Sequence, residues 1–159
     1  MAFLGMAECN AKGDVNVSKF KDRIAGCGGF INITQNTHKV VFCGTFTAKG
    51  LREEIRDGKL VITHEGAVQK FIDKVGQITF SAEYAHKHNQ QVMFITERCV
   101  FVLTDKGLVL TEIAPGVDLQ KDILDQMEFV PHIAENLKTM DERLFRDEPM
   151  GLAQDIFEQ

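Results

Sequence analysis

The sequence predicts a fold of class α/β or mixed α+β, in which strands dominate and helices accompany them. Three observations carry this. Residues 39–46 (KVVFCGTF) form a dense β-branched and aromatic run, the pattern of a strand buried on both faces. Residues 92–113 break into apolar runs joined by short polar links, which reads as consecutive strands. Helical spacing is confined to a few short stretches, the clearest of them after Asp118.

Along the chain, residues 2–9 (AFLGMAEC) read as a strand, being apolar and followed by Asn10 and Gly13. Lys12-Gly13-Asp14 is a turn, and Val15-Asn16-Val17-Ser18 alternates with the two-residue period of a strand. Ala25-Gly26-Cys27-Gly28-Gly29-Phe30 packs three glycines into four positions, where the backbone must bend sharply or approach something closely. The segment from Phe30 to Asn36 is ambiguous: its branched residues favour a strand, while the glycines ahead of it suit a loop opening a helix. After the 39–46 strand, Arg52 to Gly58 reads as a charged stretch ending in a turn. Lys59-Leu60-Val61-Ile62-Thr63 then restarts as a strand.

Val92-Met93-Phe94-Ile95-Thr96 leads through Glu97-Arg98 into Cys99-Val100-Phe101-Val102-Leu103. Asp105-Lys106-Gly107 then turns the chain into Leu108-Val109-Leu110-Thr111-Glu112-Ile113, a C-terminal β-hairpin with glycine where a positive φ is needed. Ala114-Pro115-Gly116 closes the sheet region. Asp118 is the expected N-cap of a helix to about Met127, with Leu119, Ile123, Leu124 and Met127 on one face. Residues 134–145 read as a second short amphipathic helix.

The chain has 159 residues, 44% hydrophobic and 26% charged, the balance of one globular domain with a sizeable core. A net charge of -5 argues against a non-specific nucleic-acid binder, although a local basic patch could hold one anionic ligand. No apolar run approaches the ~20 residues that span a bilayer. The opening Met1-Ala2-Phe3-Leu4-Gly5 lacks a basic n-region, so it does not read as a signal peptide, and a cytoplasmic protein is expected. The four cysteines, Cys9, Cys27, Cys43 and Cys99, occur singly and outline neither a zinc site nor a disulfide framework. Cys43 and Cys99 are expected to be buried small hydrophobes.

Several residues could carry chemistry, each with a plainer reading beside it. If Phe30 opens a helix, the amides of Gly28, Gly29 and Phe30 are unpaired donors at its positive end, able to bind an anion or a developing oxyanion. The plainer reading is a glycine-rich connection that serves packing, and the pattern is neither a Walker motif nor a dinucleotide fingerprint. Lys49 follows a buried strand, where open α/β sheets gather ligands; its alternative is a solvated loop lysine. Glu97-Arg98 could be a buried ion pair or supply a catalytic acid, but exposure at a strand break is expected because buried carboxylates are uncommon. His86 and His88 form an H-x-H pair that could ligate a metal, yet the stretch is polar and reads as a surface loop. Cys27 as a nucleophile would need a base that nothing in the sequence identifies.

Several blocks taken in order resemble the C-terminal part of family I coenzyme A transferases, the group that includes acetate, propionate and 3-oxoacid CoA transferases. They are Ala2-Phe3-Leu4-Gly5-Met6-Ala7-Glu8 with Gly13-Asp14-Val15-Asn16-Val17-Ser18; Ile24-Ala25-Gly26-Cys27-Gly28-Gly29-Phe30-Ile31-Asn32; and Val40-Val41-Phe42-Cys43-Gly44-Thr45-Phe46-Thr47-Ala48-Lys49-Gly50. Ile95-Thr96-Glu97-Arg98-Cys99-Val100-Phe101 and Thr111-Glu112-Ile113-Ala114-Pro115-Gly116-Val117-Asp118 follow. The likeness is greatest to the single-chain, short-chain acyl-CoA branch.

The resemblance implies a mixed, mainly parallel sheet flanked by helices, with the chain forming one domain over residues 1–159, part of the family's C-terminal domain. It implies ping-pong transfer of CoA from a short-chain acyl-CoA to a free carboxylate through a glutamyl-CoA thioester, with coenzyme A thioester as substrate and no covalently bound cofactor. It makes Gly29, with Gly28, the oxyanion-hole amides, and Gly26, Phe30 and Lys49 contacts to substrate or CoA. Cys27 becomes the variable residue of the G-x-G-G pattern.

The family's nucleophilic glutamate lies in a block upstream of everything present. None of Glu8, Glu53, Glu54, Glu65, Glu83 or Glu97 sits in such a block. The chain is therefore expected to be a fragment or split product, inactive alone, that needs the N-terminal part of the enzyme as partner and self-associates through uncovered apolar surface. A non-catalytic binding or assembly module that kept the fold is the main alternative, and a hydrolase using Cys27 a weaker one.

Overall fold

The computed structural model describes residues 1–157. Its principal sheet has six strands: β1 (Ala2–Gly5), β2 (Lys39–Cys43), β5 (Gln91–Ile95), β6 (Cys99–Thr104), β7 (Gly107–Ile113) and β8 (His132–Thr139), in that spatial order. β1, β2 and β5 run parallel, β6 and β7 form an antiparallel meander with β5, and β8 returns parallel to β7. A separate hairpin joins β3 (Arg52–Arg56) to β4 (Lys59–His64). Helices α1 (Phe30–Gln35), α2 (Ala82–Lys87) and α3 (Leu152–Phe157) are short. The mixed, largely parallel sheet and the β6–β7 hairpin agree with the sequence reading.

Strand alternation sends successive side chains to opposite faces, and here each face has its own cluster. On β5, Val92 and Phe94 enter the main core while Met93 and Ile95 pack against a smaller cluster of Leu60, Val100, Ala114, Met140 and Phe145. On β6, Cys99 and Phe101 face the main core and Val100 the smaller one. The main core is aromatic: Phe42 lies 5.1 Å from both Phe80 and Phe94, and Phe71 lies 5.1 Å from Phe101, centroid to centroid. Each such ring contributes roughly 1.5–3 kcal/mol by burial.

Several elements differ from the sequence expectation. The 2–9 strand is two pieces: the chain leaves the sheet at Met6, and Glu8–Cys9 pairs instead with Val15–Asn16. The 39–46 strand stops at Cys43 and lies second from the sheet edge; Val40, Val41 and Phe42 are buried, but Cys43 at its end is exposed. The charged stretch after Lys49 is a strand, because β3 is held by β4 rather than by the core and all five of its residues are exposed. His86 belongs to α2, not to a loop, since Ser81 caps that helix by accepting the Tyr84 amide at 3.2 Å; His88 ends it and stacks on Tyr84.

The helix expected after Asp118 reduces to a π-type turn over Leu119–Ile123 and a 3-10 turn over Leu124–Gln126, with Asp118 capping as expected by accepting the Lys121 amide. Residues 134–145 are not a helix. Their first part is edge strand β8, because the open side of β7 offers a backbone ladder that outweighs a weak helical spacing, and only Glu142–Phe145 forms a 3-10 turn.

Candidate active site

The glycine cluster forms an exposed loop tied at both ends. Ala25 and Gly26 donate their amides to the Ser18 carbonyl at 2.8 and 3.1 Å. Beyond the loop, Phe30 is buried and stacks on Phe42 at 5.8 Å, fixing the start of α1 against the aromatic core. Gly26 and Gly28 have φ of +80° and +51°, and a β-carbon on either would meet nothing within 4 Å. Glycine is needed at Gly28 for its backbone conformation, and the space beside it stays open.

Gly29 caps α1 without any side-chain cap. The amides of Gly28 and Gly29 donate to no acceptor among the described residues, whereas the Phe30 amide bonds to the Cys27 carbonyl at 3.0 Å. The expectation of three free donors is thus corrected to Gly28 and Gly29. The Phe30 side chain is a core residue, and Lys49 is exposed with φ +61°, its carbonyl accepting the Ala67 amide at 3.0 Å. No hydrogen bond joins Lys49 to the glycine loop among the described residues.

The expectation of an exposed Glu97-Arg98 pair is overturned. Arg98 is 0% exposed. Its Nε donates to Glu97 Oε1 at 2.6 Å, its Nη1 to Glu65 Oε2 and to the Asp122 carbonyl, both at 2.8 Å, and its Nη2 to Glu65 Oε1 at 3.2 Å. The guanidinium also lies 4.9 Å from the Phe46 ring centroid, a cation–π distance.

The carboxylates carry the contact onward to the chain beyond β2. Glu97 Oε2 accepts the Phe46 amide at 2.8 Å; Glu65 Oε1 accepts the Gly66 amide at 3.0 Å and the Thr47 hydroxyl. Burial alone would raise the Glu65 pKa, but hydrogen bonds from Arg98 and Thr47 outweigh it and hold the carboxyl below its usual range. Burial would likewise lower Arg98, and its bonds to Glu65 and Glu97 reverse this. This network pins Phe46 and Thr47 to the turn that leads into β6 and to the turn after β4.

Sequence reading missed it because Glu65 lies 33 residues from Arg98. The only local signal was a charged pair flanked by apolar strands.

Three further glutamates also have partners, Glu8 internally and Glu54 and Glu83 at the surface. Glu8 Oε2 accepts the Asn16 side-chain amide at 2.7 Å and the Gly76 amide at 2.8 Å, while Glu54 pairs with Arg56 and Glu83 with Lys87. No group of three or more His, Cys, Asp or Glu side chains that could hold a metal occurs among the described residues. No helix there is long and apolar enough to cross a membrane.

No family model matches the chain. Among curated proteins it is similar to the caffeate CoA-transferase of Acetobacterium woodii, 52% identical over 157 residues, and to the acetate CoA-transferase YdiF of Escherichia coli, 54% identical over 151 residues. These alignments take in 96% and 95% of this chain but only 30% and 28% of the relatives, so the chain spans less than a third of their length. The crystal structure of the YdiF apoenzyme from E. coli O157:H7 superposes with a TM-score of 0.92 at 54% identity, covering 94% of this chain and 29% of that one. Glutaconate CoA-transferase from Acidaminococcus fermentans shares the fold at a TM-score of 0.63 and 14% identity, covering 98% of this chain and 56% of that one. The ordered sequence blocks, the mixed sheet and these relatives agree: the chain belongs to the family I CoA transferases.

Proposed function

We propose that the chain supplies the oxyanion side of a CoA-transferase active site that moves CoA between a short-chain acyl-CoA and a free carboxylate. The observation that carries this is the pair of unpartnered amides at Gly28 and Gly29, on an open loop anchored by buried Phe30. In such transfer a glutamate carboxylate attacks the thioester carbonyl, thiolate leaves and a mixed anhydride forms. The thiolate then attacks the glutamyl carbonyl, releasing the first carboxylate and leaving a glutamyl-CoA thioester. The acceptor carboxylate repeats the sequence in reverse and frees the glutamate.

Each addition places negative charge on a carbonyl oxygen, and preset amide donors stabilise that charge by about 2.7–4 kcal/mol per donor. Gly29, with Gly28, fills this role. Gly26 gives the loop its bend, Phe30 holds it, and exposed Lys49 is available to an anionic part of the substrate.

The glutamate is supplied by sequence outside this chain. In support, Glu8, Glu65 and Glu97 are committed to internal hydrogen bonds, as described above. On this reading the chain is one domain, part of the C-terminal domain of the enzyme, and the N-terminal part is its functional partner.

The test is incubation of a short-chain acyl-CoA with acetate and the chain, with and without a polypeptide carrying the upstream part of a relative. Transfer is expected only with both. Transfer by the chain alone would show that it contains the nucleophile. No transfer after complementation would favour a non-catalytic binding or assembly module. Cys27→Ser is expected to leave transfer nearly intact; its collapse would point to chemistry at Cys27.

A further inference from the structure

A second charged group lies beyond the strand ends, outside the Arg98 network. Lys70 is 7% exposed, in the same range as side chains of the hydrophobic core. Its Nζ donates to the Thr45 carbonyl oxygen at 2.7 Å and makes no ion pair among the described residues. An ammonium carries three N–H donors, so most of its hydrogen-bonding capacity has no protein acceptor. A buried, under-solvated charge of this kind is costly unless an anion completes it.

The backbone holds Lys70 firmly in this place. Its carbonyl accepts the Cys9 amide at 2.8 Å, next to the pairing of Val68–Gln69 with Thr47–Ala48. Gly44 leaves its head uncovered: a β-carbon there would sit 3.0 Å from Nζ and 3.8 Å from the Met6 carbonyl oxygen. Gly44 and Met6 follow directly on β2 and β1, so the ammonium stands at the carboxyl ends of two neighbouring parallel strands, the edge at which open α/β sheets bind ligands.

A cavity of about 320 Å³ opens on the same residue, lined by Met6, Ala7, Phe20, Ala48, Glu8 and Lys70. Its walls are mostly apolar. Glu8 spends Oε2 on the Asn16 and Gly76 donors, and Glu97, the acid whose charge acts on Lys70, has both oxygens engaged by Phe46 and Arg98. Neither neutralises the ammonium by direct contact.

We infer that Lys70 and this cavity bind the free short-chain carboxylate, the ammonium taking the carboxylate and the apolar walls the aliphatic tail. The inference rests on the transferase reading for its substrate, but binding is measurable apart from turnover. Burial also lowers the Lys70 pKa, partly offset by Glu97, and a carboxylate bound beside it would stabilise the charged form.

The test is an NMR titration of the chain with sodium propionate against sodium chloride at constant ionic strength. Saturable shifts at Lys70, Thr45 and Gly44 with propionate, and none with chloride, are expected. Lys70→Met should weaken binding about tenfold or more, the loss of one charge-assisted contact, while Lys70→Arg should retain part of it. Circular dichroism of both variants establishes that they are folded. Absence of saturable shifts, or an unchanged titration in a folded Lys70→Met, would overturn the assignment and leave Lys70 a clamp on the Thr45 carbonyl.

The transferase reading fails separately. Propionate binding without transfer in the complemented enzyme would remove the reaction and keep the site. Transfer without a Lys70-dependent shift would do the reverse.

Discussion

Arg98 is the residue on which most of the internal polar structure converges. Removing a guanidinium that is fully enclosed leaves Glu65 and Glu97 facing each other's charge in a partly dry site, so Arg98→Met is expected to cost about 3–5 kcal/mol. Urea denaturation monitored by circular dichroism would measure this. Arg98→Lys should recover only part, because a lysine cannot reproduce the fork that reaches both carboxylates and the Asp122 carbonyl. Gly66 is constrained by space: a β-carbon there would sit 2.6 Å from the Ala48 carbonyl oxygen. Gly66→Ala should therefore lower the urea midpoint and disturb the Thr47–Glu65 contact. Gly28→Ala forces a side chain onto φ +51° and is expected to cost about 1–2 kcal/mol of stability. It should also lower kcat of the complemented transferase. The glycines were legible in the sequence because their spacing is local. The Arg98 partnership was not, because its energy comes from a residue that only folding brings near.

Among elements, the strands with dense apolar runs were legible: β2 falls within its predicted run, and β5, β6 and β7 match theirs to within one residue at each end. Short runs rich in branched and aromatic residues, bounded by turn residues, favour strands over helices. β3 and β8 were not, for a shared reason. Both lie mostly exposed, so their side chains carry little hydrophobic period, and each forms because a neighbouring strand offers unpaired backbone. Helix α2 depends on its cap instead. Ser81→Ala should cost about 1 kcal/mol, read as a drop in the thermal midpoint, with Ser81→Asp close to wild type. The effect should reach further than the helix, since the adjacent Ala82 amide bonds to Asp14 at 2.9 Å and ties α2 to the turn after the first strands.

For the whole molecule, the carboxylates bound by Arg98 set an acid limit. Glu65 titrates below its usual range in the folded chain, so it stabilises the fold above its unfolded pKa of about 4.3 and loses that contribution as pH falls through the lower folded value. Stability from urea unfolding should be level between about pH 7 and pH 5 and decline below about pH 4.3. Glu65→Gln should flatten that decline. Asp141, held at about 2 by its bonds to Arg143, acts in the same direction from the exposed surface. The molecule also shows apolar side chains to solvent: Phe3 is 67% exposed on edge strand β1, Ile24 76% exposed beside the glycine loop, and Val130 80% exposed. Such surface favours association. Sedimentation velocity over a concentration series is expected to show reversible self-association, weakened by Phe3→Lys. A concentration-independent monomer would contradict it.

The sequence by itself determined the family, the glycine loop and the strands that build the sheet, because these depend on residue order and local period. Tertiary structure decided which donors of that loop stay free, that the Phe30 side chain packs in the core, and that Glu97 and Arg98 are enclosed with Glu65. It also decided that Lys70 is buried and lines a mostly apolar cavity. Each of these is a matter of desolvation and of partners distant along the chain, and neither can be read from neighbouring residues.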